Sequence, residues 1–247
     1  MSGGKIRQIL LLTDGCSNQG EDPASVAAFA KEKGITVNVI GILEQGSQRE
    51  HGMREVEDIA MAGGGVSQVV YANQLSQTVQ MVTRQAMTQT LHGVVHNELR
   101  HILGNDQEME DLPPDKRGEV MEVVDELGES VSLDVLILVD TSASMKPKFP
   151  MVQEALTDLS ISLNSRSGEN YFSLFVFPGK RKEVEKILNW TPQMNSLTNT
   201  FNRLTTGGVT PTGPALKAAL YHVEKRKDRR SLIEYGEEDG SIEESGF

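Results

Sequence analysis

The chain has 247 residues, a formal net charge of −11 and one cysteine. The acidic balance argues against a protein that binds nucleic acid or an anionic membrane, because both ligands need a positively charged surface. A single cysteine cannot form an intramolecular disulfide, and the sequence shows neither a signal peptide nor an apolar stretch long enough to span a bilayer. These features predict a cytoplasmic protein.

The first 83 residues predict strands that alternate with helices, which is typical of a mostly parallel α/β sheet. An unbroken apolar run ends at the turn Thr13-Asp14-Gly15 and is expected to be a buried strand. The predicted elements are, in chain order, a strand at Ile9–Thr13, a helix at Pro23–Lys33, a strand at Thr36–Ile42, a helix at Arg54–Ala62 and a strand at Ser67–Tyr71.

Residues 84–132 are predicted to be a helical, acidic linker. Apolar residues recur at helical spacing from Leu75 to Leu99, so a long amphipathic helix is expected to lead into this segment. Pro113-Pro114 then interrupts the pattern, and a second, short helix is predicted at Lys116–Leu127.

Residues 133–225 again predict strands and helices. Val135–Val139 is a run of β-branched residues and leucine, which indicates a strand buried on both faces, as in a parallel sheet. The remaining charged tail, residues 226–247, has few apolar groups and is expected to be disordered. The predicted elements after the first strand are a helix at Val152–Leu163, strands at Tyr171–Phe177 and Val184–Trp190, and a helix through Leu220.

Polar residues with oxygen ligands directly follow the Val135–Val139 strand. Asp140, Ser142 and Ser144 offer a carboxylate and two hydroxyls at positions i, i+2 and i+4. Such a set suits Mg²⁺, Mn²⁺ or Ca²⁺ and suits zinc or copper poorly. The alternative is that these residues only form a turn and cap a helix, which is common at a strand-to-helix junction.

The stretch Asp140-x-Ser142-x-Ser144 resembles the metal-ion-dependent adhesion site (MIDAS) motif of von Willebrand factor A domains. The resemblance implies that a threonine from a later loop and an aspartate after a central strand complete the site. Thr210 matches the threonine position, and Asp14 matches the aspartate of the family's Thr-Asp-Gly loop. The implied ligands of Mg²⁺, or of Mn²⁺ or Ca²⁺, are Asp140, Ser142, Ser144, Thr210 and Asp14.

The order of these motifs differs from that of the family, in which Asp-x-Ser-x-Ser precedes Thr-Asp-Gly. Residues 1–83 resemble the second half of such a domain and residues 133–225 its first half. We therefore interpret the chain as one circularly permuted domain with a doubly wound, mostly parallel, Rossmann-like sheet. A complete site then requires Ile9–Thr13 to pair in parallel with Val135–Val139, either within one chain or in a swapped dimer.

The resemblance implies a divalent-metal-dependent protein-binding module, an adaptor or scaffold, in which an Asp or Glu of a protein partner completes the metal coordination. The chain looks closest to cytoplasmic relatives of Bacillus-type bacteria, and such relatives suggest a partner in an ATPase, chaperone or signalling complex. The alternatives are a metal-dependent phosphohydrolase and a regulatory subunit of an ATPase complex. A phosphohydrolase needs a nucleophile or base near the metal, and Asp14 and Asp140 are both assigned as ligands. We therefore expect no enzymatic activity. The expected oligomeric state is a monomer or a swapped dimer.

Overall fold

Six strands form one sheet in the part of the chain that the computed structural model describes, which is residues 4–15, 17–43, 50–103, 112–194, 201, 204 and 206–238. Only the backbone is described for residues 50–52, 102–103 and 227–238. The strands are β1 (Lys5–Thr13), β2 (Thr36–Leu43), β3 (Gly64–Tyr71), β4 (Ser132–Asp140), β5 (Asn170–Phe177) and β6 (Glu185–Thr191).

The sheet has the strand order β3-β2-β1-β4-β5-β6, and its strands are parallel except for β6, which runs antiparallel to β5. The two central strands, β1 and β4, pair in parallel, with Ile9 opposite Leu136 and Leu12 opposite Val139. This confirms the predicted pairing. From this central pair the chain builds the sheet outward in opposite directions, so the strand order reverses between β1 and β4. The predicted doubly wound α/β fold is confirmed.

The central strands form because both of their faces are covered. The helices are α1 (Pro23–Glu32), α2 (Glu50–Ala62), α3 (Leu75–Leu103), α4 (Pro114–Ser130), α5 (Phe149–Asn164) and α6 (Thr212–Glu238). The side chains of Leu10, Leu12 and Ile137 belong to a core on one face, together with residues of α3 and α5. Those of Ile9 and Leu136 belong to a core on the other face, together with residues of α1, α2 and α6. Full burial of each leucine or isoleucine contributes about 1.5–3 kcal/mol.

The segment predicted as a linker packs against the domain. On α3, Met87 and Leu91 are buried, and on α4, Val124 is buried in the same core. Arg166 fastens the end of α4, because its Nε donates to the Gly128 carbonyl at 2.8 Å. Both predicted helices are therefore present as α3 and α4, and they form part of one layer of the fold. The division of the chain into segments stays a prediction.

Helix α6 runs on to Glu238 and therefore enters the segment 226–247 for which the composition predicts a disordered tail. Residues 239–247 lie outside the described residues. Across the described ranges, no helix combines the length and the apolar character needed to cross a membrane.

Candidate metal site

The site lies where β1 and β4 end side by side. Because the two strands are parallel, their carboxyl ends meet at one edge of the sheet. Thr13, the last residue of β1, donates from Oγ1 to Oδ2 of Asp140, the last residue of β4, at 2.8 Å. Both residues are buried. A direct hydrogen bond thus joins the two halves of the chain at the predicted position.

Three side-chain oxygens cluster beyond these strand ends. Ser144 Oγ donates to Asp14 Oδ1 at 2.9 Å, and Ser142 Oγ lies 3.4 Å from the same carboxylate oxygen. The two serine oxygens are 3.2 Å apart. Asp140 is tied to the cluster through the Ser142 backbone, whose N–H donates to Asp140 Oδ1 at 2.7 Å. Four of the five predicted residues are therefore brought together.

The loop after β4 holds its shape through local bonds and one buried anchor. The bond from the Ser142 N–H to the Asp140 side chain closes an Asx turn, which an aspartate at a strand end readily forms. A 3-10 helix, Ala143–Lys148, begins at once, and the side chain of Met145 is fully buried in the core. Met145 therefore anchors to the core the loop that carries Ser142 and Ser144.

Thr210, the fifth predicted residue, is held by its backbone. Its backbone N–H donates to Asn18 Oδ1 at 2.8 Å, and its carbonyl accepts from the Asn18 N–H at 3.2 Å. Its loop is also fixed to the loop after β4, because the Ala143 N–H donates to the Gly207 carbonyl at 3.1 Å. Within the described residues, no hydrogen bond joins the Thr210 hydroxyl to the three-oxygen cluster. The structure thus holds Thr210 by its backbone, in a loop that is tied to the site through Gly207, and does not bring its hydroxyl into the hydrogen-bonded cluster.

Burial dominates the electrostatics of Asp140. It raises the pKa of this carboxyl to about 6, and the charge of nearby Asp14 acts in the same direction. Hydrogen bonds from the Ser142 backbone and from Thr13 oppose the rise in pKa only in part. The charged form of Asp140 is therefore costly here, and a bound cation would reduce that cost.

Lys148 is a further residue of the site that the sequence reasoning missed. Its side chain is buried, and its Nζ forms an ion pair with Asp14 Oδ2 and donates to the Ser144 carbonyl at 3.3 Å. The one available signal was its spacing, since Lys148 follows Ser144 by four residues and can lie on the same side of a helical turn. Lys146 differs by being exposed.

The oxygen cluster fits a small divalent cation. Its three oxygen–oxygen distances are 2.9, 3.2 and 3.4 Å. Neighbouring ligands of an octahedral ion with metal–oxygen bonds of 2.0–2.1 Å are about 3 Å apart. No group of three or more His, Cys, Asp or Glu side chains in the described part of the chain is arranged to hold a metal, and this cluster relies on serine hydroxyls beside Asp14. The donors of the cluster are hard oxygens, namely one carboxylate oxygen and two neutral hydroxyls.

The comparisons with known proteins establish the family. Two models of the von Willebrand factor type A domain match this chain, one at residues 2–85 and the other at residues 135–234. The uncharacterized protein YabS of Bacillus subtilis (strain 168) is 65% identical over 233 residues, which are 94% of this chain and 95% of that protein. The chain belongs to the von Willebrand factor type A family. Domains of this family are in general interaction modules.

Solved structures extend the comparison. A crystal structure of an uncharacterized protein from Alicyclobacillus acidocaldarius subsp. acidocaldarius DSM 446 is 42% identical, covers 91% of this von Willebrand A chain and 96% of its own, and has a TM-score of 0.85. Proximal thread matrix protein 1 of the mussel byssus, with a zinc-occupied MIDAS motif, is 18% identical over 86% of this chain and 45% of its own. Its TM-score of 0.29 is too low to support an inference about this chain. The permuted order of the halves stays a prediction.

Proposed function

We propose that this protein is a divalent-metal-dependent protein-binding module, an adaptor or scaffold, that captures an acidic side chain of a partner protein. The observation that carries the proposal is the three-oxygen cluster of Asp14, Ser142 and Ser144. It combines hard oxygen donors from both halves of the chain. It also lies at the reversal of strand order, where open α/β sheets bind their ligands.

Asp14, Ser142 and Ser144 would hold Mg²⁺, or Mn²⁺ or Ca²⁺, through their side-chain oxygens. Asp140 would add negative charge and orient the loop, since both of its oxygens already accept hydrogen bonds from Ser142 and Thr13. Thr210 would close the rim. When bound, the ion supplies a Lewis-acidic position that attracts an anionic oxygen.

A groove beside the site supports an acidic protein partner. It has a volume of about 480 Å³ and shares the Thr210 loop with the metal site, through Val209 and Pro211. Lys180, Arg181 and Lys182 also line it, next to Glu183, and Lys180 pairs with Glu185 at 3.9 Å. Three cations against these two carboxylates leave a local excess of positive charge in a chain with a net charge of −11, which suits a partner that carries further acidic residues next to the captured carboxylate.

The carboxylates at the cluster are engaged in ways that suit binding better than catalysis. Asp140 accepts two hydrogen bonds, and Asp14 accepts the serine hydroxyls at one oxygen and pairs with Lys148 at the other. A general base for hydrolysis must instead be able to take a proton from a water near the metal. We therefore propose a binding role for these groups.

Thermal unfolding with increasing MgCl₂ or MnCl₂ tests the ion site. A ligand that binds only the folded state stabilises it by about 2.7 kcal/mol at 100 times its Kd, so the melting temperature should rise with ion concentration. Ser144→Ala should remove most of this rise. Ser167→Ala, at an exposed serine outside the cluster, is the matched control and should respond like the parent.

Water-proton relaxation tests the capture of a carboxylate. Protein-bound Mn²⁺ with an exchanging water accelerates the relaxation of water protons, and a carboxylate that displaces this water reverses the effect. Acetate and a Glu-containing peptide should each reduce the enhancement in a saturable way, and the corresponding Gln peptide should not. Enhancement that neither acetate nor the Glu peptide changes contradicts the proposed capture, whereas an absence of enhancement contradicts the metal site itself.

A further inference from the structure

We propose that Lys148 sets the charge of the metal site. By pairing with Asp14, it weakens the binding of the divalent cation and strengthens the attraction of the loaded site for a partner's carboxylate. This inference rests on the proposed function and specifies what determines the affinities of the same site for the cation and for the partner.

The position of Lys148 is unusual for a lysine. Only 4% of the residue is exposed, and a lysine is almost never buried to this degree unless its ammonium is paired. Its partner Asp14 is buried as well, with 2% of its side chain exposed. The desolvated pair therefore interacts more strongly than an ion pair on the surface would.

The two oxygens of the Asp14 carboxylate have different neighbours. Oδ1 faces the hydroxyls of Ser142 and Ser144, and Oδ2 faces the Lys148 ammonium. A cation held by the three-oxygen cluster would use Oδ1 and leave the ion pair at Oδ2 in place. Lys148 and the metal can therefore act on one carboxylate at the same time, and the ammonium need not leave before the metal binds.

The charges of the groups in contact then determine both affinities. Asp14 and Asp140 are negative, and the ammonium of Lys148 cancels one of these charges. A divalent cation therefore meets a site with a net charge near −1 and converts it to one near +1. Without Lys148, the same cation would meet two uncompensated carboxylates and leave a neutral site. The lysine thus costs metal affinity, and it gives the loaded site a positive charge that a carboxylate can neutralise.

A purely structural role for Lys148 leads to a different expectation. In that case the ion pair would only hold the loop after β4 against Asp14, and its loss would lower stability and weaken the binding of both ligands together. The proposal instead predicts opposite changes in the two affinities. This opposition is the feature that a test has to measure.

The test compares Lys148→Met with Lys146→Met, a matched control at an exposed lysine of the same 3-10 helix. Calorimetric titration measures the binding of Mn²⁺ alone, and water-proton relaxation then measures the binding of acetate to the loaded protein. Because a buried unit charge a few ångströms away is only partly screened, we expect Lys148→Met to bind Mn²⁺ at least ~10-fold more tightly. For the same reason, acetate should bind at least ~10-fold more weakly. Lys146→Met should match the parent in both.

Lys148→Gln keeps a hydrogen-bond donor and serves as the second uncharged variant should Lys148→Met fail to fold. An uncharged variant that binds Mn²⁺ no more tightly than Lys146→Met overturns the proposal, as does one that binds acetate as strongly as the parent. A parent that binds Mn²⁺ while these variants behave like it overturns this inference alone. A parent that binds no Mn²⁺ overturns the proposed function as well.

Discussion

Replacing Asp140 by Asn should stabilise the metal-free protein, although Asp140 is the first residue of the predicted metal motif. Asp140 is fully buried, and burial is the main reason that the pKa of its carboxyl is raised from the ordinary 3.8 to about 6. At 1.36 kcal/mol per pH unit, keeping this carboxylate charged costs the folded state on the order of 3 kcal/mol at neutral pH. Asn removes the charge and therefore this cost.

The surroundings of Asp140 can accept an amide. The Asn oxygen can accept the backbone N–H of Ser142, as Asp140 Oδ1 does at 2.7 Å. The Asn amide can donate to Thr13 Oγ1, because the Thr13 hydroxyl has a second acceptor in the Gly15 carbonyl at 3.1 Å. Both hydrogen bonds of the site are thus retained, and the expected gain in stability is about 2–3 kcal/mol.

The stability gained by Asp140→Asn should depend on pH. Because the pKa of this acid is higher in the folded state than in the unfolded state, the cost is absent below about pH 4 and complete above about pH 6. The advantage of Asp140→Asn should therefore be near zero at the acidic end and grow as the pH rises. Urea unfolding in EDTA, followed by the fluorescence of the single tryptophan, measures it across this range.

Two comparisons make the experiment decisive. Asp125→Asn changes an exposed carboxylate on α4 and should alter stability little at any pH. In the presence of Mg²⁺ the parent should become more stable than Asp140→Asn, because the parent gains stability from the ion and Asp140→Asn gains much less. An Asp140→Asn protein that is less stable than the parent in EDTA at neutral pH would refute the argument that burial of this charge is costly.

Further predictions concern the region where β1 and β4 meet. Met145→Ala should lower the free energy of unfolding by about 2–5 kcal/mol, because it leaves a cavity at a fully buried position under the loop. Met121→Ala, at an exposed position on α4, is the control. A loss below about 1 kcal/mol for Met145→Ala in urea unfolding contradicts the anchoring role of Met145. Metal affinity, measured by calorimetry, should decrease as the pH falls through about 6, because protonation of Asp140 removes charge from the site; an affinity that stays constant across this range contradicts the participation of Asp140. Fragments 1–111 and 112–247 should each be insoluble or unfolded, since each exposes the edge of a central strand, and should form a folded complex when mixed, as circular dichroism would show. A fragment that folds alone contradicts the interpretation as one divided domain.

The sequence predicted the parts of the fold that depend on apolar runs and on motif chemistry. Ile9–Thr13 and Val135–Val139 are apolar enough to indicate buried strands, and their parallel pairing followed from the need to bring Asp14 to Asp140. The packing of the 84–132 segment was harder to predict, because its few buried apolar residues, such as Val124, lie among many charges. The composition of that segment suggested a linker, and only the structure shows that some of its apolar side chains are buried in the core.

Lys148 shows why the site itself was predicted only in part. Lys146 and Lys148 are two lysines in one short helix, and composition treats them alike, but one is exposed and the other lies against Asp14. What distinguishes them is the direction of each side chain relative to a residue 134 positions away in the sequence. Such a distinction depends on the register between β1 and β4, which is set by the whole sheet. The position of Thr210, held by Asn18 from the other half, depends on tertiary structure in the same way.

The metal site and the hydrophobic core depend on the same assembly of the two halves. Eight residue pairs align β1 with β4, and the hydrogen bond from Thr13 to Asp140 lies at the end of this alignment. Neither half alone can place Asp14 against Ser142 and Ser144, so neither half alone has the proposed donor set. Any free energy gained by holding a cation there also favours the paired state of the halves. Metal binding should therefore report the assembly of the domain, and a partner that needs the bound metal would engage only a chain whose halves are joined.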